Sequence, residues 1–201
     1  MLPSLLLGLG VINFTVDQIK KLQVIENSVY RMLLGGAPYA TNATLRGEIG
    51  ASLMESRDIE TRLTFIKGIM EGDNELVKEV LINTRKMKKN EWNQKLEKQM
   101  KEVGIRWEEM EQMSKEGIKR RVRKSDNKKW EKEVERKSTI SLYKEYKKEI
   151  KDENIYDNRE CSRLLYWARS NTLKLNDWNR HQAGGKVGCI IKCKGVEGRR
   201  N

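Results

Sequence analysis

Cationic and aromatic side chains share one helix face in residues 158–175, a combination that suits contact with a nucleic-acid strand. At about 100° per residue, that face carries Arg159, Arg163, Trp167, Ser170 and Lys174. The opposite face carries Cys161, Leu164, Leu165, Ala168, Thr172 and Leu175. Cations bind phosphates and an indole ring can stack on a base, so Arg169 of the same helix joins the candidate contacts. The other interpretation is a solvated polar face with Trp167 folded onto a neighbouring segment, and the helix alone favours it.

The densest run of positive charge, residues 119–129, is a second candidate for phosphate contact. It reads KRRVRKSDNKK and includes the cations Lys119, Arg120, Arg121, Arg123 and Lys124. Such a run can line a groove that holds a phosphate backbone. It also fits a nuclear-localisation tract or a solvated loop, and the sequence leaves the three interpretations open.

Residues able to bind a metal or activate a nucleophile are few. His181 is the single histidine, so a His-based triad has one candidate and no identifiable partner. Cys189 and Cys193 form a metal-like pair, but structural zinc takes about four ligands and no later Cys or His follows. No phosphate-binding loop, dinucleotide fingerprint or nucleophile elbow occurs. We therefore expect no enzyme activity and no cofactor, with Cys189 and Cys193 only weak metal candidates.

The positive charge of this 201-residue chain is unevenly distributed. The net charge is +12. Residues 1–72 balance seven Lys and Arg against seven Asp and Glu, whereas residues 85–151 carry 23 against 13. A basic, helix-rich half favours a polyanionic partner, most simply RNA or DNA. The rival function is a helical protein–protein interaction module without a nucleic-acid role.

The spacing of apolar residues predicts an all-α chain. A capping box of Thr15 and Gln18 begins a helix. Its expected face carries Ile19, Leu22, either Ile25 or the polar Glu26, Val29 and Leu33. Residues 37–51 read as a connector with a sharp turn at LRGEIG, residues 45–50. Ser52 and Glu55 form a second expected capping box. The helix that follows would bury Ile59, Leu63, Ile66 and Met70.

The middle of the chain predicts helices with thin apolar stripes. Asp73 or Asn74 would cap a third helix, whose expected buried residues are Leu76, Val77, Val80 and Leu81. Beyond residue 84 each helix offers one narrow stripe within a densely charged remainder, which favours loose packing or a partner. Three tryptophans are expected as core anchors: Trp92, Trp107 and Trp130.

The first residues, 1–14, are apolar but brief. They have no basic flank and are too short to span a bilayer. Three cysteines, an odd number, argue against a disulfide framework. We expect an intracellular protein of the nucleus or cytoplasm with no membrane partner, and the abrupt apolar start suggests a chain cut from a larger one.

Four segments together resemble the region after the reverse-transcriptase palm in non-LTR (LINE-type) retrotransposon polyproteins. In chain order they are LPSLL, QIKKLQVIENSVYRMLLGGAPY, LRGEIGASLMESRDIETRLTFIKGIMEGDNEL and YDNRECSRLLYWARSNTLKLND. The family's paired aspartates lie upstream in an [FY]-x-D-D motif, which this chain lacks. After LPSLL the family usually has a Tyr-Gly-x-Glu-x-Trp-like run, where this chain reads LGLGVI. The resemblance thus implies a truncated or partial copy without its polymerase domain, which would be its partner in the parent polyprotein.

The same resemblance assigns expected roles along the chain. Residues 1–72 would form a thumb-like helical unit that holds the template–primer duplex, and residues 73–157 a basic helical linker that touches RNA and DNA. Residues 158–180 would form the basic amphipathic helix, and residues 181–201 a flexible tail with half of a zinc knuckle. By this analogy the basic face of residues 158–175 is expected to contact nucleic acid.

Overall fold

The computed structural model describes residues 10–87, 89–152 and 160–173, and these residues are all-α, as the sequence predicts. Their one β-type contact is an isolated bridge between Ile49 and Asp152. A 3-10 turn, Ser138–Ile140, joins the seventh and eighth of the helices. In chain order the α-helices are α1 Val16–Leu33, α2 Asn42–Ile49, α3 Met54–Glu71, α4 Glu75–Lys86, α5 Glu91–Val103, α6 Trp107–Gln112, α7 Lys115–Glu135, α8 Ser141–Tyr146 and α9 Glu160–Arg169.

Local capping explains where most of these helices begin. The capping box of Thr15 and Gln18 at α1 is confirmed, and Asn74 rather than Asp73 caps α4. The expected turn at LRGEIG is wrong, because residues 42–49 form α2, which begins at the Thr41 cap. The helix ends at Gly50, whose φ of +72° favours glycine. Gly50 is therefore the C-cap of a helix, and the residues before it, which the sequence suggests as a turn, lie inside that helix.

The capping box expected from Ser52 and Glu55 is also wrong, because α3 is capped from distant parts of the chain. Its N-cap residue is Leu53, which makes no side-chain cap. The backbone N–H of Leu53 instead donates to Asp126 Oδ2 at 3.2 Å. The next N–H, of Met54, donates to Gln23 Oε1 at 2.7 Å. Side chains of α7 and α1 thus satisfy donors that a local cap would otherwise have to satisfy.

The largest hydrophobic cluster joins helices on both sides of residue 72. From α3 it takes the expected residues Ile59, Leu63 and Ile66, with Met70 partly buried beside them. The middle of the chain supplies Leu81, Leu96, Met100, Val103, Ile105, Met110, Ile118 and Val122. In the described residues the middle helices therefore pack on α3 in a shared core. Their thin stripes are sufficient because several of them converge on one neighbour.

Two smaller clusters hold α2 between the start and the end of the described chain. One joins α1, α2 and α9 through Tyr30, Leu45 and Tyr166. The other joins α2, α7 and α8, and it includes Trp130 and Tyr143. The sequence prediction of Trp130 as a core anchor is confirmed, and its indole N–H donates to the Ala43 carbonyl at 2.8 Å. Trp92 and Trp107 are partly buried against the largest cluster.

Two helices present apolar residues to solvent where the sequence predicts burial. On α1, Ile25, Val29 and Leu33 are exposed, whereas Glu26 and Tyr30 are buried. The reason is the polar docking of α1 on α3, in which Arg57 donates to both Glu26 and Tyr30. On α4, Leu81 alone of the four expected core residues is buried, and the exposed ones are Leu76, Val77 and Val80.

None of the described helices combines the length and the apolar character needed to cross a membrane.

Candidate nucleic-acid interface

The solvent face of α7 carries a row of cations, which we call the basic row: Arg120, Lys124 and Lys128. All three side chains are exposed, and none forms an ion pair within the described residues. Residues four apart lie on one face of a helix, so the row spans about 12 Å along the axis. Uncompensated charge held in line on a rigid element is suited to contact a phosphate backbone.

The other cations of the predicted run lie around this row. Lys119 and Arg123 are exposed, and Arg121 is exposed while it donates to the Gly104 carbonyl at 3.1 Å. The run is helical, so its interpretation as a solvated loop is wrong. The structure therefore brings all five predicted residues of residues 119–124 onto the exposed part of one helix.

Lys129 ends the run and belongs to a different environment. It pairs with Glu102 and, at 3.6 Å, with Glu55. Burial alone would lower its pKa, but the hydrogen bond to Glu102 and the charges of both carboxylates raise the pKa instead. Lys129 is thus a structural contact from α7 to α5 and α3.

A buried ionic network fixes the opposite side of α7. The Asp126 carboxylate accepts from Arg46 Nη2 at 3.2 and 3.3 Å and from Ser56 Oγ at 3.0 Å, in addition to the Leu53 N–H. Arg46 is 2% exposed and Asp126 1%, and Glu133 lies 3.7 Å from the same guanidinium. A buried charge persists only when it is paired and hydrogen-bonded. The network therefore sets the rotation of α7 and keeps the basic row outside.

The final described helix, α9, docks through a different face from the predicted one. Its buried residues are Ser162 and Tyr166, followed by Ser170 just beyond the helix, whereas Leu164 and Leu165 of the expected apolar side are exposed. The cause is Tyr166, which is fully buried and whose hydroxyl lies 3.1 Å from the Thr44 hydroxyl. One buried aromatic ring with a hydrogen-bond partner outweighs the smaller apolar side chains in setting the helix rotation.

Three predicted binding residues of α9 are described, and they differ in environment. Trp167 is half-buried, and its indole N–H donates to the Gly35 carbonyl at 2.7 Å. Arg169 pairs with the buried Glu48 at 3.1 Å. Arg163 is exposed, with its side chain close to Gly35. Trp167 thus lies against a neighbouring segment, as the alternative to base contact predicts. Arg169 is held by an ion pair, and Arg163 is the one of the three with an exposed side chain.

The remaining predicted residues, Arg159, Lys174, Cys189 and Cys193, lie outside the described residues. Within the part of the chain that the structure describes, no group of three or more His, Cys, Asp or Glu side chains could hold a metal ion. Cys161 of α9 is an exposed free thiol. Sequence reasoning missed Arg46 and Asp126, because their pairing joins residues 80 positions apart in the chain.

Comparisons with known proteins identify no relative of this chain. No protein-family model, no curated protein and no solved structure matches it.

Proposed function

We propose that this chain binds RNA or DNA through α7, as a non-catalytic portion of a LINE-type reverse transcriptase. The observation that carries the proposal is the basic row, whose charges are exposed and unpaired within the described residues. By contrast, most buried charges, such as those of Arg46 and Asp126, are compensated. Surplus charge confined to the solvent face fits an anionic partner better than a role in the fold.

The packing of the segments behind the retrotransposon resemblance supports the second part of the proposal. Three of these segments, two of them neighbours in the chain and the third distant from both, meet around α2. Tyr166 reaches Thr44, Arg169 pairs with Glu48, and Trp167 bonds to the Gly35 carbonyl. Segments that resemble one region of a known polyprotein thus form one packed unit. A non-catalytic role accords with the lack of the paired aspartates that position polymerase metals, and the proposed location is the nucleus or cytoplasm.

The proposal is tested by removing charge from the row without changing the fold. The double variant Arg120→Gln/Lys124→Gln removes two proposed phosphate contacts. Because each contact releases counterions, we expect the slope of log affinity against log salt to fall by about two. Fluorescence anisotropy with one oligonucleotide, made as RNA and as DNA, measures affinity at several salt concentrations.

The matched control is Lys20→Gln/Lys21→Gln on α1, which lowers the net charge by the same amount. Both control lysines are exposed, and surface substitutions usually change stability by no more than about 0.5 kcal/mol. The control should leave the salt slope close to that of the wild type. Equal losses in both variants would show that only net charge matters and would remove α7 as the binding surface.

A second candidate function, a helical interaction module, is favoured by the apolar stripe of α1. We define this stripe as Leu22, Ile25, Val29 and Met32, whose spacing of three, four and three residues is that of a coiled-coil seam. Ile25 is 59% exposed and Met32 79%. Leu22 is partly buried against the chain's own core, and the exposed remainder of the stripe fits the apolar face of a partner helix.

The two functions are separated by one further variant, Ile25→Glu/Met32→Glu. If the chain is an interaction module, sedimentation velocity should show association of the wild-type chain that the variant has lost, and RNA affinity should not depend on salt. A nucleic-acid-binding module keeps its salt slope in the same variant.

A further inference from the structure

We propose that a cavity beside α7 holds one unpaired nucleotide of the bound strand, so that the chain prefers single strands to duplexes. This inference rests on the proposed function and names the form of nucleic acid that the site takes. The cavity lies between α4, α5 and the segment that leads into α6, and its volume is about 760 Å³. That volume falls within the range of about 300–1,000 Å³ usual for small-molecule sites.

The walls of the cavity offer flat and apolar surfaces to a base. Leu96, Met100 and Ile105 are buried residues of the largest cluster that also line the cavity. The Arg85 guanidinium lies over the Trp107 ring, 3.6 Å from its centroid. A guanidinium held flat on an indole is an immobilised platform, and RNA-binding proteins stack bases on both types of group.

The rim of the cavity carries cations that suit a phosphate. Arg85, Lys86 and Lys101 form no ion pair within the described residues, and Arg106 pairs with Glu109 at 3.6 Å. The one carboxylate in the lining is that of Glu97. An apolar interior with a cationic rim fits an anion that has a planar, apolar body, as a nucleotide does.

A buried amide oxygen distinguishes a base from a simple acyl anion. The Asn93 amide nitrogen donates to the carbonyls of Thr84 and Met87, and these two acceptors fix which end of the amide is the nitrogen. Asn93 is 7% exposed and lines the cavity, and its Oδ1 is buried with no hydrogen-bond partner among the described residues. A buried acceptor without a donor is costly. A nucleobase has N–H groups that can satisfy it once the Asn93 side chain turns the oxygen toward the cavity, whereas a fatty-acid chain has none.

One hydrogen bond links the lining of the cavity to α7, the helix that carries the proposed binding surface. Arg121 of α7 donates to the carbonyl of Gly104, which lines the cavity. The next rim cation along the chain, Arg106, follows two residues later. On this proposal a strand whose phosphates contact α7 extends toward the cavity past Arg121, and one unpaired base enters the cavity there.

The test fills the cavity from its exposed edge. Ile82 lines the cavity and is 51% exposed, so Ile82→Trp occupies space there without disturbing the core. The control is Leu76→Trp on the same helix, where Leu76 is 70% exposed and outside the cavity lining. Affinities are measured for one oligonucleotide as a single strand carrying 2-aminopurine and as a blunt duplex.

We expect Ile82→Trp to weaken single-strand binding by about tenfold or more, the loss typical of one stacked base, and to leave duplex affinity unchanged. The control should match the wild type in both. A second variant, Arg85→Lys, keeps the charge but not the plane, and it should reduce the change in 2-aminopurine fluorescence without changing the salt slope.

Each other outcome identifies which proposal fails. If the wild type binds with a salt slope and Ile82→Trp behaves as the control does, the cavity proposal is wrong and the proposed function stands. Equal weakening of single strand and duplex also overturns the cavity proposal. If the wild type binds neither form, the proposed function itself fails. Binding of adenosine monophosphate alone, with no preference for the strand, would identify the cavity as a site for a free nucleotide and overturn the strand proposal.

Discussion

Asp126 connects three helices through a single carboxylate. It accepts hydrogen bonds from Arg46 of α2 and from Leu53 and Ser56 at the start of α3, while it lies on α7 itself. A buried ion pair contributes little net stability compared with an apolar pair of the same shape. Removing one partner is different, because the other charge is left buried and unpaired.

Asp126→Ala is therefore expected to lower the free energy of unfolding by about 3–5 kcal/mol. Urea denaturation, followed by circular dichroism, measures the change. Glu131→Ala on the same helix is the control, since Glu131 is exposed and the loss should stay within about 0.5 kcal/mol. Similar midpoints for the two variants would show that the network does not hold α7.

Two buried tyrosines predict how stability changes at high pH. Burial raises the pKa of Tyr166 to about 12, and burial together with the hydrogen bond to Glu26 raises the pKa of Tyr30 to about 12. In the unfolded chain a tyrosine ionises near pH 10. Between about pH 10 and pH 12 the folded chain thus binds more protons, and its stability falls as pH rises through this window.

Tyr166→Phe should make that decline shallower. At neutral pH the variant loses about 1 kcal/mol, because the hydrogen bond of 3.1 Å between the Tyr166 and Thr44 hydroxyls is lost while Thr44 keeps its bond to the Thr41 carbonyl. Urea denaturation at neutral pH measures the loss of stability. Repeating it at several pH values between about 9 and 12, a range that spans the tyrosine pKa values of the unfolded and folded chain, measures the slope of the decline. An unchanged decline in the variant would mean that Tyr166 does not contribute to it.

At the scale of elements, α2 needs a glycine at residue 47 for reasons of space, since its backbone angles would accept any residue. A Cβ at Gly47 would clash with the Tyr143 hydroxyl and lie 3.0 Å from the Trp130 ring. Both aromatic residues are almost fully buried and cannot easily move. Gly47 is thus the close-approach point between α2 and the pair of α7 and α8.

We expect Gly47→Ala to destabilise the fold by about 1–3 kcal/mol through overpacking. Gly68→Ala on α3 is the matched control, since a Cβ there would be 3.8 Å from the nearest side-chain atom, Lys115 Nζ. It should stabilise the helix by about 0.5–1 kcal/mol. Thermal melting of both variants measures the difference, and a melting temperature for Gly47→Ala at or above that of the wild type would contradict the account.

The sequence predicted the helices whose signals are local. The Thr15 box and the spacing of Ile59, Leu63 and Ile66 both depend on neighbours within one or two turns. The caps of α3 were not predictable in this way, because Gln23 and Asp126 are 31 and 73 residues from their donors. On α1 the spacing left Ile25 and Glu26 as alternatives, and it could not show the ion pair with Arg57 that selects Glu26.

The same distinction applies to the candidate site. The run of cations at residues 119–124 is visible in the sequence, and only its solvent face needed the structure. The rotation of α9 was missed because Tyr166 stood outside both predicted faces, although a tyrosine in a helix often directs packing. The cavity beside α7 was invisible, since α4, α5 and the start of α6 form it together.

At the scale of the whole molecule, one ionic network and one shared core hold a helix whose outer face is positively charged. The buried side of α7 meets α2, α3 and α5 through Asp126, Val122 and Lys129. The outer side carries the basic row. The charges on the buried side of α7 are thus paired, and those of the basic row are not paired within the described residues. This division predicts that an anionic strand will lie along the solvent side.

Lysine footprinting tests that claim most directly. The chain is acetylated with and without a saturating RNA oligonucleotide, and the modified sites are quantified by mass spectrometry. The account predicts protection of Lys119, Lys124 and Lys128 on α7, while Lys20 and Lys21 on α1 react equally in both samples. Equal acetylation of the three α7 lysines with and without RNA, in a sample where anisotropy shows that RNA is bound, would contradict it.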